Sequence, residues 1–99
     1  MNNRELTPKE IAEIQLNYPP DSRIELVQMN DKWAVPPGTR GTVDHVDDAG
    51  QIHMKWDNGR TLAIIPQADV FRKLTRQEIE QEQLSVRMDQ RQNMAGEMT

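Results

Sequence analysis

The apolar positions of this chain fall into three patterns, and each predicts a different kind of element. Near the start, Ile11 and Ile14 share one face of a helix, with Tyr18 one turn beyond. The flanking residues agree. Thr7 can cap free amides, Pro8 suits the first helical position, and Glu10 completes a capping box. Tyr18-Pro19-Pro20 ends the run, because a residue before proline is pushed out of the helical region. The pattern predicts a helix over about 8–17, within an N-terminal arm of residues 1–20, that covers an open end of the core with Ile11, Ile14 and Tyr18.

Residues 21–71 lose the helical period. They hold four of the five glycines and three of the six prolines. Turn residues recur about every ten positions, the spacing of short strands in a barrel or sandwich. Strands are predicted at about 22–29, 40–46, 51–56 and 60–65, with a short final pairing near 69–71. Asp47-Asp48-Ala49-Gly50 and Asp57-Asn58-Gly59 read as tight turns, and Gly38-Thr39-Arg40-Gly41 as the turn leading into the second strand.

Apolar parity selects a register at the Asp57-Asn58-Gly59 turn. A two-residue Asn-Gly turn would set Trp56 against Thr61 and Met54 against Ala63. A three-residue loop sets Trp56 against Arg60, Met54 against Leu62 and Ile52 against Ile64, which gathers the large apolar groups on one face. The expectation is therefore a three-residue loop with Gly59 left-handed in a bulge. Val43 and Val46 have opposite parity, so their strand should carry a bulge or a bend.

From Leu74 onward the pattern changes again. Thr75-Arg76-Gln77-Glu78 is a second capping box, and good helix formers follow to about Asn93. Ile79, Leu84, Val86 and Met88 make no clean stripe. The expectation is a solvated helix over 72–93 that leans on the core by its first turn, then a disordered tail over 94–99.

Composition makes the core small and central. The only aromatics are Tyr18, Trp33, Trp56 and Phe71, and apolar residues are 35% of 99, which fits one domain with polar arms. There is no cysteine, hence no disulfide or thiolate chemistry. No stretch approaches the roughly 18 apolar residues of a membrane span, and Met1-Asn2-Asn3-Arg4-Glu5 has no apolar run behind it. A cytoplasmic location away from membranes is expected. The net charge of −4, concentrated in residues 21–71, opposes a general nucleic-acid binder.

Catalytic signals are sparse. Neither Ser22 nor Ser85 has a nucleophile setting, and the glycines match no phosphate or dinucleotide fingerprint. His45 and His53 flank an acidic turn and, with Asp44, Asp47 and Asp48, form a candidate metal or acid–base group. Spacing alone fixes neither ligand count nor geometry, and such histidines are commonly plain surface residues. No catalytic residue, metal or cofactor is assigned. Binding chemistry is better represented. Trp33, in the polar loop from Asn30 to Pro37, is a recognition anchor or a lid over one barrel end. Trp56 is a core-edge residue or the partner of Arg60 in a cation–π pair. Asp31, Asp44, Asp47, Asp48 and Asp57 are candidates for an acidic rim.

Three segments occur in order: Pro36-Pro37-Gly38-Thr39-Arg40-Gly41-Thr42-Val43, Val46-Asp47-Asp48-Ala49-Gly50-Gln51-Ile52-His53, and Trp56-Asp57-Asn58-Gly59-Arg60-Thr61-Leu62. Together they resemble a bacterial domain-of-unknown-function family numbered 4314 over about residues 20–71, with both flanking helices outside the likeness. That family is associated with phages and conjugative elements. More distantly, Gly-Thr-Val followed by Trp-Asp-Asn-Gly is similar to SH3-like barrels of the KOW and mind-bomb repeat types, which bind peptides or nucleic acids. The resemblance implies a small five-stranded SH3-like barrel over 21–71; with the short N-terminal and longer C-terminal helices read from the residues, the expected fold is mainly β with flanking helices. Gly38, Gly41, Gly50, Trp56, Asn58 and Gly59 are its turn and packing positions. It implies no activity.

The functional expectation is a non-enzymatic protein-binding module, adaptor or regulatory, from a phage or mobile element and acting on a host factor, with counter-defence as a variant. Its contact candidates are Asp31, Trp33, Arg40, Asp44, His45, Asp47, Asp48, His53 and Arg60. A nucleic-acid-associated module is the alternative, and it needs Arg23, Arg40, Lys55, Arg60, Arg72, Lys73 and Arg76 on one face. A small metal-binding or hydrolytic protein using His45, His53 and Asp47 is the third reading. Homodimerisation through the helices is compatible with all three.

Overall fold

A computed structural model describes residues 5–86 of the chain. Helix α1 runs Pro8–Asn17 behind the expected capping box: the Glu10 amide donates to Thr7 Oγ1 at 3.2 Å and the Thr7 amide to Glu10 Oε1 at 2.9 Å. Tyr18 closes the helix, its amide bonded to the Ile14 carbonyl. Four strands follow, β1 (Arg23–Gln28), β2 (Arg40–Val46), β3 (Ile52–Trp56) and β4 (Val70–Lys73). A second helix, α2, begins at residue 76 and continues through 86. Its expected end near Asn93, Met88 and the tail over 94–99 lie outside the described residues.

The strands form one antiparallel sheet in the order β3-β2-β1-β4. It has four strands, not the expected five, and is not closed. The missing strand is the one expected at 60–65, where the expected register nevertheless holds. The Trp56 amide donates to the Arg60 carbonyl at 2.9 Å, Gly59 has φ +90°, and Ile52 and Ile64 exchange both backbone hydrogen bonds. Between those two points the Leu62 carbonyl turns away to accept from Trp56 Nε1 at 2.8 Å. Of the described segment only a single bridge therefore remains, and no continuous ladder. Beyond it, the Asp69 carboxylate holds the turn that leads to β4 by accepting from the Ile65 amide. The final pairing is longer than expected, because Arg72 and Lys73 extend β4 along β1.

The parity conflict in β2 resolves as anticipated. The β2–β3 register shifts between Val43 and His45, so Val43 and Val46 both reach the core. One face of the sheet carries Ile24, Leu26, Val43, Ile52, Met54 and Trp56, joined by Met29, Val35 and Ile64, all buried. Each such aliphatic side chain contributes about 1.5–3 kcal/mol on burial. Ile14 and Tyr18 bring α1 against this core, and the Tyr18 ring meets Phe71 with centroids 5.4 Å apart. Gly41, at the junction of the strand-entry turn and the strand expected at 40–46, lies within β2. A Cβ there would stand 2.8 Å from the Trp56 ring and 3.0 Å from the Lys55 carbonyl, so its bareness lets the indole lie flat on the sheet.

The opposite face is charged. Arg23 and Glu25 alternate with Ile24 and Leu26 in β1, and Arg40 and Thr42 with Gly41 and Val43 in β2. The period of two that fills the core thus also lines up a polar surface behind it.

Candidate functional site

The loop between β1 and β2 presents one large apolar side chain to solvent. Trp33 is 64% exposed, so it is not a lid. Its backbone is held firmly all the same. Asp31 Oδ1 accepts from the Trp33 amide at 2.7 Å, and the Asp31 carbonyl accepts from the Ala34 amide at 3.0 Å. Arg60 crosses from the β3 turn and donates to the carbonyls of both Trp33 and Ala34. Val35, fully buried, pins the other side of the loop. Lys32 lies over the Trp33 ring at 5.4 Å. Of the two readings of Trp56, the core one holds: Trp56 is buried, and the Arg60 guanidinium is committed to the loop carbonyls and not to a cation–π pair.

The outer face of the sheet holds a second constellation. Glu25 on β1 lies opposite Arg40 on β2 and Arg72 on β4, with both guanidinium groups 3.1 Å from Glu25 Oε1. Arg23 grips Asp57 with two nitrogens at 2.8 and 2.7 Å and also donates to Thr42 Oγ1. Helix α2 completes the cluster. Glu78 takes a fork from Arg72 at 2.9 and 2.6 Å, and Glu82, one turn on, takes a fork from Arg23 at 3.1 and 2.8 Å. Arg40 sits between and reaches both glutamates. The Arg72 fork and the Thr75 amide hold the Glu78 carboxyl down at about 2. Hydrogen bonds from Arg23, partly opposed by burial, lower Glu82. Arg23 hydrogen bonding likewise lowers Asp57. The three arginines are raised by the same contacts.

This arrangement corrects two expectations. Helix α2 does not simply lean by its first turn, because Glu82 in the second turn is docked too. Nor do the seven basic groups share one free face. Arg23, Arg40 and Arg72 do, but carboxylates occupy them. Lys55 pairs with Asp44 at 3.4 Å, Lys73 lies over Tyr18, and Arg76 faces Glu80. Glu25, Glu78 and Glu82 are not among the contact residues expected from the sequence. The available signal was the alternation Arg23-Ile24-Glu25-Leu26 together with two glutamates four apart on a helix without an apolar stripe.

At the β2–β3 turn, His45 and His53 are cross-strand partners with rings stacked at 4.4 Å. His45 Nδ1 lies 2.6 Å from Asp44 Oδ2, and His53 Nε2 lies 2.7 Å from Asp47 Oδ2. The His45 contact, with Lys55, lowers the Asp44 carboxyl. Burial opposes ionisation of Asp47, but His53 and the amides of Gln51 and Ala49 outweigh it and lower its pKa. Asp47 also ties the turn that Gly50 closes with φ +86°. Among the described residues, no three His, Asp or Glu side chains are grouped to hold a metal ion. The five candidate rim carboxylates do not act as one rim: Asp31 orders the Trp33 loop, Asp44 and Asp47 hold the histidines, Asp57 joins Arg23, and Asp48 is exposed. Gly38 and Gly59, both with positive φ, and Asn58, which accepts from the Arg60 amide, serve their turns as expected.

Among the described residues no helix is long and apolar enough to cross a membrane. One protein-family model, described as a domain of unknown function (DUF4314), matches residues 7–74. The match takes in α1, which the segment resemblance had left outside, and stops just before α2. No curated protein and no solved structure matches the chain.

Proposed function

The chain belongs to the DUF4314 family, and from that premise we propose that it is a non-enzymatic protein-binding module, adaptor or regulatory, whose contact is Trp33. The observation that carries the reading is a tryptophan held out in solvent on a loop whose backbone is already fixed by Asp31 and Arg60. A stiff aromatic on an ordered loop has little freedom to lose on binding, which is why such residues dominate interface energetics. The proposal includes a host protein as the partner of a mobile-element protein, a part supported by the family resemblance alone. An SH3-like ancestry belongs to it too, supported by the short strands and by Gly41 beneath Trp56.

Support for the nucleic-acid alternative is weaker, because Arg23, Arg40 and Arg72 each hold carboxylates in place of phosphates. The experiment is affinity capture with the wild type, Trp33→Ala and Arg60→Ala. A partner retained by the wild type at least about tenfold better than by Trp33→Ala is expected, a loss of more than 1.4 kcal/mol. Equal retention, or a salt-dependent nucleic-acid shift unchanged by Trp33→Ala, overturns the reading.

A further inference from the structure

Helix α2 docks in an unusual manner for a helix on a sheet. Within residues 76–86 only Glu78, Ile79 and Glu82 are half-buried, and every other side chain is exposed. Of its three apolar residues, Leu84 and Val86 are 50% and 56% exposed, and only Ile79 is half-buried. Helices ordinarily dock by an apolar stripe. Here the contact face is two carboxylates one turn apart, each received in a guanidinium fork, with Arg40 shared between them.

The receiving side is built for that pattern. Forked arginine–carboxylate pairs are directional as well as charged. The sheet itself supplies the carboxylates that aim the arginines: Glu25 holds Arg40 and Arg72, and Asp57 holds Arg23. These contacts are made by residues outside α2. An open groove of about 1040 Å³ lies beside the helix, with Arg23, Thr42, Asp57, Ile79, Glu82 and Val86 in its lining. The ion pairs that hold α2 are half-buried and joined in one network, and salt screens them. The resident helix is therefore held by charge and hardly at all by apolar packing, on a surface whose arginines are also aimed from within the sheet.

We propose that the Arg23–Arg40–Arg72 face is a docking site for an acidic helix bearing two glutamates one turn apart, with α2 as its resident occupant and a partner helix of the same chemistry as its exchangeable one. The site is separate from Trp33. It accounts for three arginines placed on one face of an acidic protein and neutralised by a helix that brings almost no apolar contact.

The test uses the full chain carrying Glu78→Gln and Glu82→Gln, which weakens the resident helix without altering the receiving face. The probe is a fluorescent peptide of residues 75–86, held helical by a staple joining the outward positions 80 and 84. Anisotropy should show binding to this variant chain, at least about tenfold weaker binding to the wild type, whose own helix competes, and loss of binding at high salt. The same peptide with both glutamates changed to glutamine should bind at least about tenfold more weakly. Arg40→Ala in the variant chain should abolish binding while leaving the strand amides protected. Equal binding of the two peptides, or no binding of the first, overturns the proposal. So does a single-stranded oligonucleotide that binds the variant chain more tightly than the peptide, since the face would then select phosphate.

Discussion

The two helices of this protein begin alike and dock by opposite chemistry. Each opens on a Thr-x-x-Glu capping box with both reciprocal hydrogen bonds formed. Helix α1 then turns Ile14 and Tyr18 to the apolar face of the sheet, where the aromatic ring meets Phe71. Helix α2 turns Glu78 and Glu82 to the charged face, where they meet arginines. The same four-stranded scaffold thus offers one surface that excludes water and one that is held through it. Apolar packing is not weakened by charge screening and has no titrating group. A clasp of ion pairs is weakened by salt and by acid, so the second helix is the part of the fold that conditions can move.

The comparison breaks most visibly at the core. Leu26→Ala, at a fully buried position between β2 and β4, should lower stability by about 2–5 kcal/mol in denaturant unfolding and loosen both helices together. Gly41→Ala comes next. Its Cβ would press on the Trp56 ring and the Lys55 carbonyl, with an expected loss of about 1–3 kcal/mol and a shift in buried tryptophan emission.

Acid sharpens the contrast. The folded Glu78 carboxyl sits at about 2 against an ordinary 4.5, so its contribution is complete above 4.5 and is lost as pH falls toward 2. Glu82 and Asp57 are lowered too and act in the same direction. Helical signal from α2 should fall in that window before the sheet unfolds, followed by circular dichroism and strand-amide protection. The smallest effect is expected at Trp33. Trp33→Ala should change stability by no more than about 0.5 kcal/mol, while removing the tryptophan emission that an aqueous quencher reaches and sparing that of Trp56.

Much of this was legible along the chain, and the reasons differ by element. Helix α1 is written in local chemistry, Thr7, Pro8, Glu10 and the Tyr18-Pro19-Pro20 stop, and needs no tertiary context. The Ile52–Ile64 register and the β2 bulge follow from parity, because only one pairing puts large apolar groups on one side. The 60–65 strand was not legible, since its failure depends on where the Trp56 indole finds an acceptor. Exposure of Trp33 was equally hidden, because the Arg60 contact that holds its loop joins residues 26 or more positions apart. The charged face went unread for a different reason. A helix without an apolar stripe looks solvated until the arginines that receive its carboxylates are seen to share a face.

The difference between the two faces can be measured directly by amide hydrogen exchange as salt is raised from about 0.02 to 1 M, a range that shortens the screening length from over 20 Å to about 3 Å. Amides of residues 79–86 should lose protection progressively while those of β1, β2 and β3 and of Ile11–Asn17 in α1 keep theirs. Glu78→Gln with Glu82→Gln should reproduce the high-salt pattern at low salt. Protection of α2 that is unchanged by salt and by both substitutions, or that fades together with the strands, would contradict a helix held by charge.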